Sequence, residues 1–339
     1  MQFTSIRGVN SSLKELSCGV PQGSILGPLL FILLINDLPY ATNFFNILYA
    51  DDTTLQMSSN DLCELFYHAN IELTKLADWF KANKLTLNIS KTKYMLFRKK
   101  TTNIDFSNLK LLIEGKEIDR IGQGCKEDSF KFVGINLDEF LTWEQHTKYV
   151  TGKAANAVFA LSKLKNIVPS SAKLTIYNSL FRSFIEYGIC AWGRSKSKNI
   201  DRINTLQKRA MRCIFNTKYN AHTDPIFHKL QVLKFNDLLD LNEIRFVHKF
   251  IYMKLPSSFD NFFSKLPNFD RNLSLCTVQL KNIHLKTFPS FSMPLRWNSL
   301  PLNIKRISSA SKFKKSYTDA LIMCYSVACT KINCYSCNH

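Results

Sequence analysis

The chain has 339 residues, 45% hydrophobic and 21% charged, a composition near the average for folded domains that excludes a wholly disordered or collagen-like polymer. Lys and Arg outnumber Asp and Glu 45 to 26, a net +19, and the excess lies toward the C-terminus: residues 1–60 sum to −2, residues 181–240 to +6 and residues 241–339 to +10. Nucleic acid is the first partner that such a field implies, with a membrane surface or plain solubility as the bland alternatives.

The N-terminus reads straight into polar sequence without a signal-peptide pattern. The longest apolar run, residues 28–35, falls far short of the roughly 18 to 20 residues that cross a bilayer. The expected location is therefore intracellular, nucleus or cytoplasm, neither secreted nor transmembrane. Cys18, Cys63, Cys125, Cys190, Cys213 and Cys276 sit in apolar stretches and read as reduced, buried thiols.

Taken in chain order, residues 13–18 read as a strand end and residues 19–24 as a tight loop. Residues 25–36 follow as an apolar helix with Pro28 in its first turn, and with no polar face in its middle this helix is expected to be buried on nearly all sides. Residues 47–50 and 53–57 form two strands joined by Asp51 and Asp52. Leu62, Leu65, Phe66, Ala69, Leu73, Leu76 and Phe80 then recur at helical spacing behind a cap at Asn60 or Asp61. Residues 85–89 and 94–97 read as a strand pair, and residues 130–138 as a hairpin.

From there the chain turns helical. Thr142 and Gln145 fit a capping box, and a helix through Val150, Ala154, Val158 and Leu161 runs on until Pro169. Leu174, Tyr177, Phe181 and Phe184 mark a second helix, and Ile203, Leu206, Ala210 and Ile214 a third that carries Arg202, Lys208, Arg209 and Arg212. Beyond about residue 255, five prolines break any long element, so irregular structure over a few helices is expected. No period of 20 to 50 residues repeats.

Adjacent carboxylates at a hairpin tip suit Mg²⁺, which takes oxygen ligands, commonly one or two carboxylates together with substrate phosphates. Asp51 and Asp52 supply them, although alone the pair reads rather as a solvated turn, since Asp is a common turn former. Context decides. Cys18-Gly19-Val20-Pro21-Gln22-Gly23-Ser24-Ile25-Leu26-Gly27-Pro28, then Asn36-Asp37-Leu38-Pro39, then Tyr49-Ala50-Asp51-Asp52 resemble, in order and spacing, the palm of a reverse transcriptase, that of non-LTR (LINE-type) retrotransposons above all. The likeness continues through Leu87-Asn88-Ile89-Ser90-Lys91 and Phe132-Val133-Gly134 to Trp297-Asn298-Ser299-Leu300-Pro301.

The resemblance implies an α+β fold: the C-terminal part of a right-hand polymerase palm, an antiparallel sheet with packed helices, over 1–140; a helical thumb over 141–220; a basic C-terminal domain over 221–323; and a Cys-rich tail, 324–339. It implies RNA-directed DNA synthesis by two-metal-ion catalysis, with Asp51 and Asp52 on Mg²⁺ and Lys91 toward the pyrophosphate. Pro21, Gln22, Gly23 and Tyr49 would face the nucleotide, Phe132, Val133 and Gly134 would form the primer grip, and Lys208, Arg209 and Arg212 would lie along the duplex. The implied partners are an RNA template, a DNA primer, deoxynucleoside triphosphates and a further N-terminal portion of the polyprotein.

The same resemblance calls for a metal-binding Asp upstream of the Gly19 loop and for basic fingers, and the 18 residues before Gly19 hold no Asp. The chain alone is thus expected to be inactive, as the remainder of an element truncated at its N-terminal side, and a non-catalytic nucleic-acid-binding remnant is the competing reading. The C-terminal Cys324, Cys329, Cys334, Cys337 and His339 do not follow a zinc-site spacing, and zinc is not expected there.

Overall fold

The computed structural model describes residues 3–15, 20, 23–195, 198–267, 269–277 and 288–325, a mixture of helices and short strands. The chain divides into two compact units, Met1–Lys126 and Glu127–His339.

In the first unit, β1 (Ser5–Ile6) and β2 (Val9–Asn10) make a short antiparallel ribbon. Helix α1 (Gly27–Ile35) begins where Ser24 Oγ accepts from the Gly27 N–H at 2.9 Å, with Pro28 in the first turn, where its missing N–H sacrifices no helical bond. A one-turn helix, α2 (Leu38–Ala41), leads into the antiparallel hairpin of β3 (Phe45–Tyr49) and β4 (Asp52–Gln56). Helix α3 (Leu62–Ala82) is capped by the Asp61 carboxylate, which accepts from the Glu64 N–H at 2.8 Å. Its stripe Leu73, Leu76, Ala77 and Phe80 packs with Ile35, Leu38, Ile113 and Ile118 into one core.

Three expectations fail, two of them within this unit and the third, on the cysteines, across both units. Helix α1 is not enclosed: Leu29, Leu30, Ile32, Leu33 and Leu34 are 42–64% exposed, and only Ile35 is buried, with Phe31 half-packed on the core. A helix apolar all round needs cover on every side, and a core reached through one end supplies cover for one. Residues 85–89 form no strand; β5 (Lys93–Met95) pairs instead in parallel with β8 (Asp119–Ile121), while β6 (Leu112–Ile113) and β7 (Lys116–Glu117) form a hairpin between them. Leu85, Leu87 and Ile89 still pack on the core, so their alternation reflects burial of an extended segment without a ladder. Cys63 is exposed on α3, one position off the buried stripe, and Cys125, Cys190, Cys213 and Cys276 are half-buried. Cys18 lies outside the described residues.

The second unit opens with the hairpin of β9 (Ser129–Phe132) and β10 (Ile135–Asp138), followed by α4 (Glu144–Lys163). The capping box does not form. The Asp138 carboxylate takes its place, accepting from the N–H groups of Phe140, Thr142 and Trp143 and from the Thr142 hydroxyl at 3.0–3.2 Å, while Gln145 turns away to donate to Asp128. Pro169 does not stop α4, which ends at Lys163; it precedes α5 (Ser170–Tyr177) at the N-cap position. A π-helical turn, Asn178–Arg182, joins α5 to α6 (Ser183–Glu186), and α7 (Ile189–Trp192) and α8 (Lys198–Ile214) follow. These helices bury Val150, Leu161, Tyr177, Phe181, Ile185, Trp192, Ile203 and Met211 in one core.

Helices α9 (Asp224–Leu230), α10 (Phe235–Ile251), α11 (Phe269–Asn272), α12 (Pro289–Asn298), α13 (Leu302–Lys305) and α14 (Ala310–Met323) complete the unit. Ile244, Val247, Trp297 and Phe313 form a further core among them. Beside it, the fully buried Glu243 of α10 accepts from Arg194 at 2.5 and 2.7 Å and pairs with Arg296 of α12 at 3.3 Å, and Asp240 binds both arginines. A buried carboxylate is tolerable only because two guanidiniums surround it.

Candidate functional site

The β3–β4 hairpin carries the paired carboxylates. Alternation along β3 turns Leu48 toward the core and leaves Tyr49 exposed, and Leu55 of β4 packs on the same core, so the stem is fastened while the tip faces solvent. The two-residue turn is Ala50 and Asp51, not Asp51 and Asp52; Ala50 has φ +52°, and Asp52 opens β4 opposite Tyr49. Asp51 and Asp52 are both exposed.

One residue that holds this hairpin was not marked by any sequence motif. Glu72, buried on α3, accepts from the Asn43 backbone N–H at 2.7 Å, from the Asn43 side-chain amide at 3.0 Å and from Lys75 at 2.7 Å, which ties the segment before β3 to the long helix. The Lys75 ammonium, with both Asn43 bonds, holds its carboxyl below the usual range against the opposing effect of burial. A Glu on the inner face of an otherwise apolar stripe is the only sign of it in the sequence.

Gly23 has φ +85°, a left-handed conformation open to Gly without strain, and is exposed in the loop before α1. Pro21 and Gln22 lie outside the described residues. Lys91 is exposed in a turn whose N–H bonds return to Asn88. Tyr49, Asp51 and Asp52 thus share one tip, whereas Gly23 and Lys91 stand on separate loops. Two adjacent hard oxygen donors on a solvent-facing tip fit the first ligands of a Mg²⁺ ion that shares its remaining positions with water and phosphate. Among the described residues no group of three or more His, Cys, Asp or Glu side chains is assembled for a metal.

In the second unit, Phe132, Val133 and Gly134 form the end of the β9–β10 hairpin. Val133 has φ +42° and Gly134 φ +84°, and a β-branched residue in that region costs about 1–2 kcal/mol of backbone strain. The Val133 carbonyl accepts from the Tyr187 hydroxyl at 2.6 Å. Lys131 and Lys153 hold their ammonium groups 6.0 and 5.6 Å from the Tyr149 ring centroid, which makes a basic and aromatic surface of the kind that takes nucleic acid.

On α8, Arg209 is exposed and Lys208 half-buried, while Arg212 donates to the Ala221 carbonyl at 2.8 Å and so spends part of its guanidinium within the fold. Cys324, at the end of α14, is exposed; Cys329, Cys334, Cys337 and His339 lie outside the described residues. No described helix is long and apolar enough to cross a membrane.

Residues 2–137 match the reverse transcriptase (RNA-dependent DNA polymerase) family. The chain is 34% identical over 243 residues to a probable RNA-directed DNA polymerase from transposon BS of Drosophila melanogaster, an alignment covering 67% of this chain and 26% of that protein. It is 26% identical over 246 residues to the RNA-directed DNA polymerase from mobile element jockey of the same species, covering 69% and 26%. With the Pol polyprotein from type-1 retrotransposable element R1 of Bradysia coprophila it shares 24% over 226 residues, covering 65% and 22%. The chain thus spans about a quarter of the length of these relatives. No solved structure matches it. Residues 2–137 thus carry the sequence of a reverse transcriptase, and the alignments extend the likeness to RNA-directed DNA polymerases of transposons over about two thirds of the chain.

Proposed function

We propose that these 339 residues are the palm remainder, thumb and C-terminal part of an RNA-directed DNA polymerase that extends a primer 3′-hydroxyl on an RNA template. The observation that carries this reading is the exposed tip of β3–β4, where Tyr49, Asp51 and Asp52 converge within the family-matched segment. Asp51 and Asp52 would hold Mg²⁺, which supplies Lewis acidity toward the hydroxyl and the leaving pyrophosphate when bound. Tyr49 and the Gly23 loop, with Pro21 and Gln22, would orient the incoming nucleotide, where Gly lets backbone approach closely. Lys91 would offer a proton or a positive charge to the departing pyrophosphate. Phe132, Val133 and Gly134 would position the primer end, and Lys208 and Arg209 would hold duplex phosphates without reading sequence. The palm and thumb boundaries at 140 and 220 belong to the same proposal.

With two carboxylates in place of three, these residues alone should extend no primer. Primer extension with Mg²⁺ on an RNA template, run with and without an added N-terminal palm and fingers fragment, tests this. Extension that requires the fragment and is lost in Asp51→Asn supports the proposal. Extension by the chain alone that disappears in Asp51→Ala overturns the inactivity. Salt-sensitive hybrid binding without extension under either condition favours the second reading, a non-catalytic nucleic-acid-binding remnant, which the +17 of Glu127–His339 makes physically plausible.

A further inference from the structure

The turn at Val133 and Gly134 is exposed and strained, and it is not held by the hydrophobic core: Val133 is 42% exposed. What holds it is Tyr187, itself 51% exposed. The Tyr187 hydroxyl donates to the Val133 carbonyl, and its ring lies against Gly134 so closely that a Cβ there would meet the ring at 3.2 Å. The ring is placed in turn by its own backbone: the Tyr187 carbonyl accepts from Trp192 Nε1 at 2.9 Å, and Gly188, at φ +60°, leaves room for Ile135 of β10, which a Cβ would strike at 2.4 Å. On β10 the Asn136 N–H donates to His146 Nδ1, whose ring meets the edge of Trp192. Four adjoining residues of one hairpin, Val133, Gly134, Ile135 and Asn136, thus meet Tyr187, Gly188 and His146. A solvent-facing turn kept in an unfavourable conformation by a dedicated tether marks a place where one fixed shape is needed.

We propose that Tyr187 is a positioning residue: by fixing the Val133–Gly134 turn it presents the hairpin end to the terminal nucleotide of the primer strand in a single conformation. This rests on the reading of Phe132, Val133 and Gly134 as the primer contact. Lys131, two residues before the turn, and Lys153 supply positive charge for the strand's phosphates.

The test uses the full chain and an RNA–DNA hybrid whose DNA strand ends in 2-aminopurine. Protein is added until anisotropy shows all hybrid bound, so that the fluorescence change reports the environment of the 3′ end within the complex. The native chain should change the 2-aminopurine signal, and Tyr187→Phe should reduce that change at least two-fold and, in the free protein, speed hydrogen exchange at the β10 amides. A tether acts before any primer is bound, so faster exchange in the free protein identifies a positioning role. No response from the native chain overturns the primer reading and this inference with it. A native response that Tyr187→Phe leaves unchanged overturns the inference alone, and a lost response with unchanged exchange overturns it in favour of direct contact by Tyr187.

Discussion

His146 accepts from the β10 backbone through Nδ1, and burial pushes its imidazole down to about 4. The folded chain therefore refuses a proton that the unfolded chain binds near the ordinary value of 6.5, and stability present above that value falls as pH drops from about 6.5 toward 4. Urea unfolding across that range should show a steeper loss for the native chain than for His146→Gln; equal slopes would contradict the assignment. Glu243 makes a sharper case. Removing its carboxylate leaves Arg194 and Arg296 facing one another with Asp240 alone between them, so Glu243→Ala should lower unfolding stability by about 3–5 kcal/mol, measured by urea denaturation. Glu72→Ala strands the Asn43 N–H and should cost about 1–3 kcal/mol, with the β3–β4 amides gaining hydrogen exchange before those of α3.

Among the elements, α1 carries the plainest physical consequence. Five large apolar side chains stand out on nine residues, a density that isolated surface hydrophobes do not reach. Leu30→Lys with Leu33→Lys should reduce self-association in light scattering without lowering the unfolding midpoint, since neither side chain reaches the core. The elements also differ in how openly the sequence announced them. Asp61 capping α3, the β3–β4 and β9–β10 hairpins, and the stripes of α4 and α8 depend on neighbours within a few residues, and they were legible. The parallel pairing of β5 with β8 and the displacement of the capping box by Asp138 depend on partners that local pattern does not name. The adjacent carboxylates were legible from their motif, whereas Glu72 bonds the backbone and side chain of Asn43 and Tyr187 bonds the Val133 carbonyl, partners far along the chain for which sequence offers no period or spacing.

Over the whole molecule the charge divides unevenly: Met1–Lys126 holds 14 basic and 12 acidic residues, and Glu127–His339 holds 31 and 14. The unit that carries the paired carboxylates is nearly neutral, and the unit that carries α8 is strongly positive. Affinity for an RNA–DNA hybrid should therefore fall steeply with salt, by roughly 10³-fold or more between 50 and 200 mM if six phosphates are engaged. Arg209→Ala should lower the logarithmic salt slope by about one without altering sequence preference, read by anisotropy titrations at several ionic strengths. A slope unchanged in that variant would remove Arg209 from the contact surface.

The wide turn at Asn178–Arg182 preserves the angular phase of everything after it. Tyr177, Phe181 and Ile185 follow at intervals of four and all reach the core, a spacing that a π turn accommodates on one face. Deleting Ser179 would restore ordinary winding with one residue fewer, and the chain beyond it would keep nearly the same angular phase. The tyrosine ten residues beyond Tyr177 would then still meet the hairpin it tethers, so the wide turn absorbs an extra residue inside a buried helix without disturbing the aim of a side chain at the surface.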